Sequence, residues 1–405
     1  MLLGHDGRGP IVSTDPPMCK IRLARNRAPA ACMTQPVLHE IAEDARIYLS
    51  PLGLFAGEGG GLPRLQGGPL AFGAWEAALR RGGRIEWQVV PAPALPEWIA
   101  RLPGRLKLRA ERLAAAITSP LPSPLGRAAA PLLMGVINVT PDSFSDGGLY
   151  LAPDAAIRRG HALAEAGARI LDIGGESTRP GASPVPPEDE IARVLPVLQG
   201  LQSLRRAAPP VALSVDTRHA ATMRAALAAG VDIVNDVSAL RGDGSLEIAA
   251  AGAADIVLMH MAGEPATMND APVYADVALD VFDFLEARIA ACEAAGIPRR
   301  RLILDPGIGF GKRGAENLAV LGRIALFHGL GCPLLLGASR KGFGPETQAL
   351  APAARLPASL AAAVQALSQG VRILRVHDVA ETRQAAALWQ RLRDGVAVPQ
   401  TATGS

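Results

Sequence analysis

The chain has 405 residues, 49% of them hydrophobic and 20% charged, enough to bury a large core and to form two or three domains. Its net charge of +3 comes from 41 basic and 38 acidic residues spread along the sequence, with no basic run dense enough to follow a nucleic-acid backbone, so no nucleic-acid partner is expected. No uninterrupted apolar run reaches the roughly 18 residues of a membrane span, and the opening MLLGHDGRGPIVSTDPP lacks a signal-peptide core, so no membrane partner is expected either.

Cys19, Cys32, Cys292 and Cys332 lie far apart and form no C-x-x-C pair, which argues against a zinc knuckle or a disulfide framework and for a reducing cytoplasm. Residues 1–45 are rich in Pro, Arg and small residues without either period, and a disordered N-terminus is expected there, with Met33 as an alternative start to Met1. Residues 46–117 read as a small α+β accessory domain. RIYLSPLG and RIEWQVVPA are its strand-like pieces, AFGAWEAALRRGG and PEWIARLPGRLKLRAERLAAAI its helical ones. Three of the four Trp residues fall here, at spacings expected to bury them in a core. Residues 118–130, rich in Pro, Ser and Ala, form the expected linker.

From residue 131 to 396 apolar runs alternate with Ala- and Leu-rich helical stretches, and residues 397–405 are expected to be a disordered tail. The runs are LLMGVIN, RILDIGGE, VALSVDT, DIVNDV, DIVLMH, RLILDPGIG, PLLLGAS and RILRVHD. Strands apolar throughout are covered by helices on both faces, and this rhythm predicts an α/β protein, a (β/α)8 TIM barrel, with a doubly wound open sheet as the alternative.

A barrel builds its active site from the C-terminal ends of its strands. Here those ends carry Asn138, Glu176, Asp216, Asn235 with Asp236, His260, Asp305, then Ser339-Arg340-Lys341, and Arg375 with His377 and Asp378. Any one of them suits a helix cap; all of them together suit a pocket. Asp216, Asn235, Asp305 and Lys341 are groups able to read the donors and acceptors around a flat heterocycle. Asn138, Thr178, Arg179, Arg375 and His377 offer the cations and polar donors that a phosphate or diphosphate requires. The loops TPDSFSDGG and ESTRPGASPVPP are long enough to close over a ligand. DPGIGFGK is glycine-rich but matches neither a P-loop nor a dinucleotide fingerprint.

MGVINVTPDSFSDGG and LDIGGESTRPGA, followed in order by SVDT, VNDVS, LMHM, ILDPGIGFGK, GASRKGF and RVHDVAET, resemble the signature segments of the dihydropteroate synthases, folate-pathway enzymes inhibited by sulfonamides. The resemblance runs from about Pro131 to Gly395. It implies a transferase joining 6-hydroxymethyl-7,8-dihydropterin diphosphate and p-aminobenzoate into 7,8-dihydropteroate and pyrophosphate, with Mg2+ as cofactor and a homodimer as a possible assembly. Carried over by motif, the pterin site takes Asp216, Asn235, Val237, Met259, Asp305 and Lys341. The diphosphate site takes Asn138, Thr178, Arg179, Arg375, Val376 and His377, with Asn138 as metal ligand. The aminobenzoate site takes Phe144, Thr178, Pro180, Phe310 and Lys341. Asp216, Lys341, Arg179 and Asp305 are the implied catalytic positions.

The implied chemistry is dissociative: the carbon–oxygen bond to diphosphate breaks first, and the arylamine attacks the resulting pterin-stabilised cation. After SRK the family usually carries a polar or bulky residue, whereas here Gly342 and Phe343 follow, leaving out a side chain near the aminobenzoate end. Two alternatives remain at this level, a catalytically silent pterin-binding paralogue and a methyltetrahydrofolate-dependent methyltransferase. The latter has no use for Thr178-Arg179-Pro180 or Arg375-Val376-His377.

Overall fold

The computed structural model describes residues 45–57, 60–121, 125, 131–139, 153–177, 183–263 and 273–395. The described residues all fall within one compact unit. The expectations for residues 1–44 and 397–405, for most of 118–130, and for the two long loops at 140–152 and 178–182 lie outside the described residues.

A three-stranded antiparallel meander opens the described chain: β1 (Arg46–Ala56), β2 (Leu70–Arg81) and β3 (Arg84–Pro91). The segment expected as a helix, AFGAWEAALRRGG, is therefore mostly strand β2. Its Ala, Leu, Glu and Arg residues favour helices, but β2 lies between β1 and β3, and pairing on both sides outweighs a weak local preference. Gly82 and Gly83, at φ +49° and +79°, make the two-residue turn that right-handed strand twist favours. Helices α1 (Leu95–Ala100) and α2 (Gly104–Thr118) follow, split at Pro103, which precedes the first residue of α2. The expectation of buried tryptophans holds for Trp75, which is 2% exposed and packs edge-on against Phe72, but not for Trp87, which is 43% exposed and lies under the guanidinium of Arg323.

The second sheet has eight parallel strands: β4 (Leu132–Asn138), β5 (Ile170–Gly174), β6 (Ala212–Asp216), β7 (Ile233–Asp236), β8 (Asp255–Met259), β9 (Leu302–Asp305), β10 (Leu335–Leu336) and β11 (Ile373–Val376). β11 returns to pair with β4, and a parallel bridge from Leu304 to Leu334 joins β9 to the β10 segment, so the sheet closes and the open-sheet alternative is excluded. Around it run α3 (Pro153–Ala166), α4 (Pro187–Gly200), α5 (Ala220–Ala228), α6 (Ser245–Ala251), α7 (Val277–Ala294), α8 (Gly314–Gly322), the short α9 (Pro345–Gln348), α10 (Leu356–Ser368) and α11 (Val379–Gly395). Among the described residues no helix is long and apolar enough to cross a membrane.

Side chains alternate along a strand, so every second residue faces the barrel axis. The lowest inward layer is apolar and includes Met134, Ile170, Ile233, Val257, Leu335 and Ile373, and Leu125 packs against it. The meander and α2 are fastened to the outside of the barrel at α7. Arg46, Arg80 and Arg109 meet Asp280, Asp283 and Glu286 there, the Tyr48 hydroxyl donates to Asp283 at 2.8 Å, and the Tyr48 ring meets Phe282 edge-on. Gly329, in the 3-10 segment Ile324–Leu330, lets α2 approach closely, since a Cβ there would lie 3.2 Å from Leu113 Cδ2.

Candidate active site

Directly above the apolar floor the inward layer turns polar. Asp172, in the middle of β5 and fully buried, accepts from Ser214 Oγ at 2.6 Å, Asn235 Nδ2 at 3.0 Å and Arg375 Nε at 2.7 Å. Arg375 also donates from Nη2 to Asp216 Oδ2 at 2.5 Å. A guanidinium largely removed from water needs its charge matched, and here Asp172 on β5 and Asp216 on β6 match that of the half-buried Arg375. Burial opposes the charge, but Asp172 and Asp216 prevail and raise the Arg375 pKa further. Burial pushes Asp216 up to about 7, against the opposing attraction of Arg375 and with help from the nearby Asp172 charge.

Strand register lines up the rim. Asn138 pairs with Gly174, Gly174 with Asp216, and Asp216 with Asn235, while Met259 pairs with Asp305 one strand further on. Gly174 lets this row close up, because a Cβ at that position would meet Asp216 Cβ at 3.4 Å. Asp305 accepts from the Gly307 N–H at 2.8 Å, and burial raises its pKa against the pull of Lys341. The Lys341 ammonium donates to the carbonyl of Ile308 and sits 4.5 Å from the centre of the Phe310 ring. Burial lowers Lys341 to about 8, with Asp305 opposing. Val237, Met259, Met261 and Phe310 cluster as an apolar wall.

The residues expected to read a heterocycle are thus brought together: Asp216, Asn235, Asp305 and Lys341 around the mouth, with Val237 and Met259 as the wall. The anion-binding set is described only in part. Asn138 ends β4 beside Gly174. Arg375 is committed to two carboxylates. His377, expected as a cation, is a neutral imidazole near pH 7, because burial and the charges of Arg375 and Arg340 press its pKa down to about 4. Its Nδ1 lies 3.2 Å from Ser339 Oγ. Arg340 is held by Asp378 at 3.0 and 2.5 Å. Val376 is buried and, by alternation, faces away from Arg375 and His377, so its contribution to the mouth is backbone. Phe144, Thr178, Arg179 and Pro180 lie outside the described residues.

Other strand ends serve the scaffold. Asp236 accepts from the N–H groups of Ser238 and Leu240 at 2.7 and 2.8 Å and so closes the turn after β7. Glu176 accepts from Val185 N–H and from Arg218, and against the effect of burial these bonds hold its pKa low. Gly342 has a local cause: α9 folds back over it, and a Cβ would sit 3.0 Å from Gln348 Cα.

Among the described residues no group of three or more His, Cys, Asp or Glu could hold a metal ion. Asn138 nevertheless supplies a hard oxygen donor at the rim, and Mg2+ commonly takes one or two protein oxygens together with substrate phosphates. The donor set fits a cation that arrives with a diphosphate.

Three polar residues packed behind the mouth do not stand at strand ends. Asp172 and Ser214 lie one inward step deeper, and Lys312 closes the GFGK segment. A carboxylate inside the otherwise apolar RILDIGGE was the available signal for the first.

A family model described as pterin binding enzyme matches residues 134–377. The chain is 45% identical over 255 residues to the dihydropteroate synthase of Escherichia coli strain K12, an overlap of 63% of this chain and 89% of that one. Among solved structures, Xanthomonas albilineans dihydropteroate synthase with 4-aminobenzoic acid matches with a TM-score of 0.61 at 47% identity, covering 67% of this chain and 97% of that one. Burkholderia cenocepacia dihydropteroate synthase complexed with 7,8-dihydropteroate matches with a TM-score of 0.60 at 43% identity, covering 66% and 92%.

Proposed function

Since the chain belongs to the family of pterin binding enzymes, we propose that the barrel mouth condenses 6-hydroxymethyl-7,8-dihydropterin diphosphate with p-aminobenzoate, releasing 7,8-dihydropteroate and pyrophosphate. The protein is an enzyme, a dihydropteroate synthase that transfers a pterin methylene group. One observation carries the assignment of roles: the carboxylates of buried Asp305 and half-buried Asp216, an amide and an ammonium surround the mouth beside an apolar wall.

Ionised, Asp216 accepts the N–H donors of a pterin edge. Asn235 commits an amide proton to Asp172, which orients the amide and leaves its oxygen for the ring. Asp305 and Lys341 address the remaining polar edge, while Val237 and Met259 contact the ring face. As the carbon–oxygen bond to diphosphate breaks, positive charge grows on the ring, and Asp216 and Asp305 offset it from fixed positions. Phe310 forms one wall for the arylamine that attacks the methylene carbon. The arylamine nitrogen needs no protein nucleophile; it forms the new carbon–nitrogen bond and loses a proton.

On the leaving-group side, Asn138 would hold Mg2+, which when bound neutralises charge on the diphosphate. Neutral His377 serves there as a hydrogen-bonding group, and Thr178 and Arg179 complete the reading. We further propose a cytoplasmic setting, consistent with Cys292 and Cys332 being free and buried, and a homodimer.

The test is formation of labelled dihydropteroate from pterin diphosphate, p-aminobenzoate and Mg2+ by the purified chain, with Asp216→Ala alongside. Product from the wild type and its near-complete loss in the variant are expected. A wild-type chain that binds pterin without forming product would replace this reading with that of a silent paralogue.

A further inference from the structure

Outside the ligand-facing set, the most demanding polar group in the barrel is the ammonium of Lys312. It is 5% exposed and has three acceptors for its three protons: His260 Nδ1 at 2.8 Å, Gly307 O at 2.8 Å and Phe310 O at 3.2 Å. Burial is costly enough to push the group down to about 7. A lysine costly to bury and fully matched by acceptors from one loop and one strand end is a structural tie.

The tie has a specific object. Lys312 pins the carbonyls at both ends of the turn 307–310. The carbonyl between them, on Ile308, holds the Lys341 ammonium, and Phe310 lies against that same ammonium. Further bonds keep the turn in one shape. Gly307 N–H donates to Asp305, Gly309 N–H to Asn317 Oδ1, Asn317 Nδ2 to Lys312 O, and Tyr274 Oη to Gly311 O. Gly307, at φ +69°, sits so close to β8 that a Cβ would fall 1.9 Å from His260 O. His260 must present an unprotonated Nδ1 to the ammonium, which its pKa, held well below the usual value by burial and Lys312, permits.

We infer that Lys312 is a positioning residue for the aminobenzoate side of the reaction: by holding the turn 307–310 against His260 it sets Phe310 and the Lys341 ammonium in register with the pterin half. The inference rests on the functional reading above. Asp216 and Asn235 are held by Arg375 and Asp172 on other strands, so loss of Lys312 leaves these two pterin contacts in place, while Phe310, which only the second substrate uses, and Lys341, which both use, shift.

The experiment compares the wild-type chain with Lys312→Met and, as a milder break that keeps the ammonium, His260→Gln. For Lys312→Met the KM for p-aminobenzoate is expected to rise about tenfold or more, the size of effect that unsatisfied buried carbonyls produce, and that for pterin diphosphate, which keeps Asp216 and Asn235 and shares only Lys341, by a clearly smaller factor; His260→Gln gives a smaller change of the same kind. Amide hydrogen exchange at residues 307–311, measured on the same proteins without substrate, is expected to quicken while exchange in β4–β6 stays unchanged. Equal changes in both KM values, or unchanged exchange in the turn, would overturn the inference. If Lys312→Met does not fold, His260→Gln decides. If the wild type makes no dihydropteroate, the functional reading fails on its own, and the exchange measurement still decides whether Lys312 positions the turn.

Discussion

Arg375 lies between Asp172 and Asp216, 2.7 Å from one carboxylate and 2.5 Å from the other, so a guanidinium from β11 opposes the burial that raises the pKa of the proposed ring-reading aspartate. Replacing Asp172 with Asn keeps the shape but leaves Arg375 with half its compensation and removes the acceptor of either Ser214 or Asn235, which bond to different carboxylate oxygens. Asp172→Asn is expected to lose about 3 kcal/mol of stability and to lower kcat/KM for the pterin diphosphate roughly a hundredfold. Denaturant titration and steady-state kinetics check both.

Binding of the pterin should show two pH limbs. Asp216, raised to about 7 chiefly by burial, accepts an N–H donor at each oxygen only when ionised, so affinity falls by up to about tenfold per unit as pH drops below that value. Lys341, lowered to about 8 by burial, is charged below that value, so affinity also falls as pH rises above it. Calorimetric titration with the pterin alcohol, which lacks the titrating diphosphate, is expected to give its best affinity between the two. Asp216→Asn removes the acid limb and Lys341→Met the alkaline one.

In the ligand-free chain the imidazole of His377 is expected to stay neutral down to about pH 4, because burial and then Arg375 and Arg340 disfavour its charged form. Imidazole NMR shifts followed with pH, assigned by the signal missing in His377→Gln, measure this directly. A midpoint near 6.5 would contradict it.

The meander and α2 cover Phe282 and Phe327 on the barrel and are fixed by ion pairs to α7. A chain beginning at Pro131 uncovers those rings and loses Leu125 from the floor. Its thermal midpoint is expected to fall by roughly 10 °C, from a few kcal/mol of lost apolar burial. Arg109→Met, which removes the bonds to Glu286 and Ile47 and the cation over the Tyr48 and Phe282 rings, is expected to cost about 3 °C. Calorimetry on the three proteins ranks them, and equal midpoints would refute the supporting role.

The barrel strands were legible because apolar runs of strand length alternating with helical segments leave few other architectures, and the rim was legible because each run ended in a polar residue. β2 was not, since its residue types favour helix and only the Gly82–Gly83 pair betrayed a hairpin. His377 reads as a cation in sequence; its neutrality comes from burial and from Arg340, 37 residues away in the chain. Lys312 looks like a surface lysine after a glycine turn until the fold delivers His260 to it.

The apolar layer from Leu132 to Ile373, against which Leu125 packs at φ +55°, fills the barrel below its polar rim. Traffic is then confined to a single doorway, and whatever settles deepest must arrive before its neighbour and depart after it. The two reactants are therefore expected to enter in sequence, ring first, and a compound lodged in the outer berth would trap the inner occupant.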